Sequence, residues 1–162
     1  EVVYLLSEVG DRLLTLQATV GQRLPAHCSA LGKCLLAHLT EETARELLGP
    51  EPYETRTPHT LTSWKALAPA LAEILRTGIA CSAEEYEIGL VSIAAPVRWT
   101  DGPGAAAINV SLPASRLTDD SREELTALLR ETARAIDARW ESAAATGGAY
   151  RMPDEGRVAN VG

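Results

Sequence analysis

Apolar and polar residues alternate along this chain with two different periods, and each change of period marks a new element. Residues 2 to 6 (VVYLL) and 13 to 20 (LLTLQATV) are rich in apolar and β-branched side chains and flank Glu8-Val9-Gly10-Asp11, a turn signal. They predict a hairpin. The period then becomes helical: Leu31, Cys34, Leu35, His38 and Leu39 recur behind Ser29, a good N-cap, and predict a helix from about 30 to 39. Thr40 heads a second, short helix with Glu41 and Glu42 at the positive end of its dipole, and Gly49-Pro50 stops it.

After a loop over 50 to 62, a third helix over about 63 to 77 places Leu67, Leu71, Ile74 and Leu75 on one face. Pro69 removes a backbone bond there and predicts a kink, and Gly78 ends the helix. Period two returns in residues 79 to 83, and the acidic loop Glu84-Glu85-Tyr86-Glu87 leads through Gly89 into 90 to 98 (LVSIAAPVR). Asp101-Gly102 signals a turn, and 105 to 112 (AAAINVSL) form the return strand at the centre of the sheet.

On that strand Asn109 and Ser111 share a face, as do Leu90, Ser92 and Ala94 on its neighbour, while Ile108, Val110 and Leu112 face the helices. The polar face is either wetted by solvent or lines a polar pocket. Ser121 and Glu124 make a capping box for a long helix, lined on one side by Leu125, Leu128, Leu129, Ile136 and Trp140 and ending near Ala145. From 146 to 162 periodicity is lost, and Gly147, Gly148, Pro153 and Gly156 predict a flexible tail. The order β-β-α-α-α-β-β-β-α predicts an α+β fold with a mainly antiparallel sheet.

Composition narrows the partners. The 162 residues suit one domain over 1–145 followed by the tail. A net charge of -7 excludes a nucleic-acid grip by this chain, because phosphate binding requires clustered Lys and Arg. No run of about 18 apolar residues could span a membrane. Three cysteines without CxxC spacing build no disulfide framework and fit a reducing cytoplasm. Glu1 leads straight into a strand pattern, which reads as a piece cut from a longer protein.

Candidate chemistry concentrates in residues 24 to 39, LPAHCSALGKCLLAHL. A phosphate loop needs four residues between its glycines and a hydroxyl after the Lys, whereas ten residues separate Gly21 from Gly32 and Cys34 follows Lys33. Tetrahedral zinc needs three or four ligands; Cys34 and His38 share a helical face, but the adjacent His27 and Cys28 tend to point apart, so no metal is assigned. A Cys nucleophile needs an oriented base, and nothing in the spacing brings Cys28 to His27 or His59, so no catalytic residue is assigned. No cofactor is implied. What remains is the helix start at Ser29, Ala30 and Leu31, whose first amides attract a carboxylate unless the Ser29 hydroxyl alone satisfies them.

These residues resemble a known family. LPAHCSALGKCLLAHLTEETARELL is similar to the Leu-Pro-x-His-x-Ser/Thr-x-x-Gly-Lys-x-x-Leu-Ala signature of the effector-binding domain of IclR-type bacterial transcription regulators. The likeness continues through TLTSWKALAPALAEILRTGIA, EEYEIGLVSIAAPV and AINVSLPASRLT, and covers roughly residues 1 to 140. It implies a GAF-like fold with a roughly six-stranded antiparallel sheet flanked by helices, a small organic effector bound on the sheet, and homodimers that pair into tetramers. It also implies a winged helix-turn-helix DNA-binding domain upstream, absent from this chain.

Carried onto this sequence, the family pocket uses Ala30 and Leu31, whose amides meet the effector's carboxylate, with Ser82, Leu90, Ser92, Asn109 and Ser111. Relatives often carry Asp at the position of Ser82, Cys at Ser92, Ser-x-Ser at Asn109-x-Ser111 and Gly at Leu112, so the ligand identity does not carry over. Loop 82 to 89 and the first helix are the expected moving parts. Two alternatives stay open: a thiol-dependent redox enzyme using Cys28, Cys34 or Cys81, and a ligand-free oligomerisation module.

Overall fold

Strand pairing centres on the segment Leu90–Val97. In the structure, a computed structural model, residues 1–8, 18–97 and 106–145 are described, with side chains through 142. In chain order the elements are β1 (Val2–Val3), β2 (Arg23–Leu24), α1 (Ala30–Leu36), α2 (Glu41–Leu48), α3 (Trp64–Thr77), β3 (Ala80–Ala83), β4 (Leu90–Val97), β5 (Ala106–Pro113) and α4 (Asp119–Ala145). One-turn helices over Ala26–Cys28 and Ala114–Arg116 precede α1 and follow β5.

β4 pairs antiparallel with β3 on one side and β5 on the other. The register sets Ser82 opposite Ser92 and Ser92 opposite Ser111; one step along, Ala80 faces Ala94 and Ala94 faces Asn109. Side chains two apart share a face, so one side of the sheet is tiled with small residues. α1 lies on that side: Ala80 and Ala94 share a buried cluster with Ala30, Leu31 and Cys34 of α1 and with Leu67, Leu71 and Ile74 of α3. On the opposite face Ile93, Ala95 and Val97 pack against Leu129 and Ala133 of α4, with Ile108, Val110, Leu125 and Ile136 around them. The result is a mixed α and β fold of three layers, with the sheet in the middle.

Among the described residues the strands form a two-stranded and a three-stranded sheet. Several other expectations are corrected. β1 pairs with β2, with Val2 opposite Leu24 and Val3 opposite Arg23. The expected partner, 13 to 20, lies mostly outside the described residues together with its turn signal, and its described end, 18 to 20, is not strand. The Asp101-Gly102 turn and the tail from 146 also lie outside them. α1 stops at Leu36, and His38 and Leu39 bond back only three residues, to the carbonyls of Leu35 and Leu36. Leu75 and Leu128, assigned to buried helix faces, are 59% and 51% exposed, because the contacting stripe runs through Leu67, Leu71 and Ile74 in α3 and Leu125, Leu129 and Ala133 in α4. α3 continues through Pro69, which is exposed along with Lys65, the residue whose carbonyl lacks its helical donor.

The long helix is capped one turn earlier than its Ser121 signal suggested. The Ser121 amide donates to Thr118 Oγ1 at 3.2 Å, and Ser121 Oγ accepts from the Thr118 amide at 2.9 Å. Thr118 is therefore the N-cap and Ser121 its reciprocal partner, a capping box in which serine occupies the position of the usual Glu or Gln.

α1 and the turn before it approach closely at Gly32. A β-carbon on Gly32 would sit 2.3 Å from the Ala26 α-carbon and carbonyl oxygen, closer than any real contact. Gly32→Ala is therefore expected to lower unfolding free energy by at least about 2 kcal/mol, since the clash is with backbone and neither segment can yield alone. Urea denaturation followed by circular dichroism checks this, and an unchanged midpoint would contradict the close approach.

Candidate functional site

The small-residue face of the sheet, the start of α1 and the β1 and β2 pair enclose a cavity of about 130 Å³. Each wall has a local cause. At the start of α1, Ser29 is extended and its hydroxyl accepts from the Gly32 amide at 3.2 Å while donating to the Pro25 carbonyl at 2.9 Å. The Lys33 amide makes the first helical bond, to the Ser29 carbonyl. This leaves the Ala30 and Leu31 amides outside the helical ladder, so the Ser29 hydroxyl satisfies one amide of the first turn and not all of them.

The sheet wall is a hydrogen-bonded row. Ser92 Oγ and Ser111 Oγ lie 2.6 Å apart, and Asn109 Nδ2 donates to Ser111 Oγ at 2.9 Å. Ser82 Oγ donates to the Cys28 carbonyl at 2.8 Å, tying β3 to the turn that leads into α1. The third wall comes from the N-terminal strands. Tyr4 is held by both backbone groups, its amide donating to the Gln22 carbonyl at 3.0 Å and its carbonyl accepting from the Gly21 amide at 2.8 Å. Burial raises the Tyr4 phenol, opposed by hydrogen bonding from the side chain of Asn109.

All seven residues singled out from the sequence line this one cavity: Ala30, Leu31, Ser82, Leu90, Ser92, Asn109 and Ser111. Tyr4, Gln22, Leu24, Tyr86 and Glu87 line it as well and were missed. Tyr4 reads as an ordinary strand residue and Leu24 as the start of the segment before α1, and the pairing of β1 with β2 brings the two segments together at the site. The lining contains no Lys, Arg or His among the described residues. An anion there would be met by amides and hydroxyls. A second, more open hollow of about 420 Å³ lies across Tyr86, where the Arg56 guanidinium stacks 4.8 Å from the Tyr86 ring centre and pairs with Glu54 at 3.0 Å. It contains none of the seven residues.

Beneath the cavity, Lys33 is 2% exposed and forms an ion pair with Glu85 of the acidic loop. Burial pushes the Glu85 carboxyl up from the usual range and the Lys33 ammonium opposes that rise. The loop is also gripped from 57 to 60: Thr57 Oγ1 donates to the Glu84 carbonyl and Thr60 Oγ1 to the Glu85 carbonyl, both at 2.6 Å. Glu84 adopts a φ of 57°, and its carboxylate accepts from the Gly89 amide at 2.7 Å, which closes the loop on itself. Lys33 is thus explained by its carboxylate partner and not by a phosphate.

The thiols and imidazoles of the same stretch are committed elsewhere. His27 Nε2 lies 2.8 Å from the Glu54 carbonyl, and His38 Nδ1 lies 2.8 Å from the Cys34 carbonyl. Among the described residues no three His, Cys, Asp or Glu side chains are grouped to hold a metal. Burial pushes the Cys28 thiol up to about 11 and the Cys34 thiol up to about 12, the opposite of what an activated nucleophile requires. Cys81 is partly exposed, with Arg122 Nη1 at 3.6 Å.

With this geometry in place, comparison with known proteins is decisive. Residues 1–138 match the family described as bacterial transcriptional regulator IclR C-terminal. The chain belongs to this family. The IclR domain described here is 34% identical over 125 residues to the Pca regulon regulatory protein of Pseudomonas putida, covering 76% of this chain and 43% of that protein. It is 33% identical over 126 residues to the HTH-type transcriptional regulator KdgR of Escherichia coli (strain K12), covering 78% and 48%. It therefore spans less than half the length of these curated relatives. Among solved structures, the C-terminal domain of E. coli KdgR superposes with a TM-score of 0.70 at 32% identity, over 79% of this chain and 78% of that one. The inducer-binding domain of a PobR double mutant from Acinetobacter, in complex with 3-hydroxybenzoic acid, superposes with a TM-score of 0.69 at 29% identity, over 78% and 74%. The curated relatives are regulators and not enzymes by name. No described helix of this IclR domain is long and apolar enough to cross a membrane.

Lys33→Met is expected to cost about 3 to 5 kcal/mol of stability, because it leaves the Glu85 carboxylate buried without its counter-charge. Adding Glu85→Leu should recover most of that loss, and chemical denaturation of the single and double variants measures both. Timed alkylation of the folded chain with iodoacetamide at pH 8 is expected to label Cys81 well before Cys28 and Cys34. Mass mapping that found Cys28 or Cys34 modified first would contradict their burial.

Proposed function

We propose that this chain is the effector-sensing domain of an IclR-type transcription regulator and that it binds a small, carboxylate-bearing metabolite in the cavity between α1 and the sheet. One observation carries the reading. The helix-start residues Ala30 and Leu31 and the polar strand residues Ser92, Asn109 and Ser111, far apart in sequence, line the same cavity. In this reading the two free amides of α1 take the carboxylate, the hydroxyl and amide row takes the ligand's other polar atoms, and Leu24, Leu31 and Leu90 take its hydrocarbon. The ligand-bearing PobR domain supports such a role for this fold.

The same reading treats the two described sheets as parts of a GAF-like domain of roughly six strands. DNA contact belongs to a winged helix-turn-helix domain in the rest of a cytoplasmic regulator that works as a homodimer or tetramer. The domain itself performs no chemistry and needs no cofactor. Ligand binding acts by favouring one arrangement of the assembly, and it can do so only to the extent of its differential affinity for the two arrangements.

Isothermal titration against a panel of small mono- and dicarboxylic acids tests this. At least one acid is expected to bind, and the combined Asn109→Ala and Ser111→Ala variant should weaken it by roughly ten- to a hundredfold, the size of one to two lost buried hydrogen bonds. Unchanged affinity in a variant that keeps its melting temperature would sink the assignment of the strand residues.

A further inference from the structure

The cavity of about 130 Å³ and the open hollow of about 420 Å³ have a common wall. Tyr86 and Glu87 line both, and among the described residues no others do. Glu87 is exposed, whereas Tyr86 is half-buried and carries the Arg56 guanidinium 4.8 Å from its ring centre. Arg56 is held in turn by Glu54 Oε1 at 3.0 Å. We infer that the Tyr86 ring is the door between the outer hollow and the cavity, that small molecules reach the cavity past it, and that Arg56 is a positioning residue that holds it shut. For an effector this route rests on the acid-binding reading above; as a property of the cavity it does not.

The backbones on the two sides of the door are fastened to each other. The Arg56 amide donates to Thr60 Oγ1 at 3.1 Å, and the same hydroxyl donates to the Glu85 carbonyl at 2.6 Å. Thr57 Oγ1 holds the Glu84 carbonyl at 2.6 Å, the Glu84 amide donates to the Leu90 carbonyl at 2.8 Å, and Lys33 pairs with Glu85 from below. Opening the wall by moving the loop would break these bonds together. Rotating the Tyr86 ring breaks only its stack with Arg56, a residue that stands exposed. An exposed cation over an aromatic face changes a population only a few-fold, and surface side chains exchange rotamers within nanoseconds. Such a closure keeps the ring in place and still yields to a molecule arriving from the outer hollow. The rival way in is past β1 and β2, whose two residue pairs would have to shift.

Timed labelling by iodoacetamide of a thiol placed in the cavity by Ser92→Cys reads the passage directly. Ser92 is 9% exposed and lines the cavity but not the outer hollow. In this background Tyr86→Ala is expected to speed labelling of the introduced thiol by about tenfold or more, and Arg56→Met by about two- to fivefold, the worth of one exposed cation–π contact. Arg56→Lys, which keeps a cation for the ring, should speed it less than Arg56→Met. Loss of the Arg56 charge would by itself raise the thiol's pKa and slow alkylation, so acceleration reports access and not reactivity. Cys28 and Cys34, buried and lining neither hollow, control for general loosening and are not expected to speed up. An unchanged rate in either Tyr86→Ala or Arg56→Met overturns the inference. So does an acceleration shared by Cys28 and Cys34, or an introduced thiol that already labels as fast as Cys81 with the door residues intact. If Ser92→Cys melts early, Ser111→Cys sets the thiol on the same wall for the same comparison. The labelling uses no acid, so its failure leaves the acid-binding reading standing, and an absence of acid binding leaves the door standing.

Discussion

Lys33 carries its ammonium into the interior from the middle of α1, and the Glu85 carboxylate makes that burial tolerable. Two charges withdrawn from water gain little net stability when they meet, because the cost of desolvation takes back most of their attraction. What such a pair does fix is position. It allows one placement of α1 against the acidic loop, since any slip would leave a charge buried alone. The cavity depends on that placement, because Ala30 and Leu31 lie three and two residues before Lys33 while Tyr86 and Glu87 directly follow Glu85.

The second constraint is closeness. α1 can settle on the sheet because the facing residues are small, with Ala80, Ala94 and the row of Ser82, Ser92 and Ser111 beneath it, and because Gly32 admits the Ala26 backbone. Larger apolar residues in the serine row would bury more hydrocarbon and stabilise the layer. Serines forgo that gain, and a buried hydroxyl is acceptable only when bonded. Ser82 bonds the Cys28 carbonyl, and Ser92 and Ser111 bond each other.

Much of this was legible in the sequence, and the misses have causes. Periodicity found α1, α3, α4, β4 and β5 because each buries an apolar face in one or both of the clusters that flank the sheet. The face argument placed Asn109 and Ser111 together because side-chain period in a strand is fixed at two. Long-range information was harder to reach. Nothing near Tyr4 reveals that β1 will pair with Arg23–Leu24 and bring Tyr4 to the cavity that Asn109 also lines, and nothing near Lys33 names Glu85 as its partner. Ser121 misled because it is half of a capping box whose other half, Thr118, also fits the N-cap rule. Leu75 and Leu128 misled because a helical stripe is wider in sequence than the surface it meets.

These constraints also bear on which parts of the domain can respond to a ligand. Loop 82 to 89 and α1 were the expected moving parts, yet the buried ion pair ties them to each other, and Thr57 and Thr60 hold the loop carbonyls from a third segment. β4 shares eight residue pairs with β5 and four with β3, so the sheet wall is stiff as well. β1 and β2 share only two residue pairs, and a ladder that short contributes little on its own. Displacing β1 therefore breaks fewer ladder pairs than displacing any strand of the β3, β4 and β5 sheet.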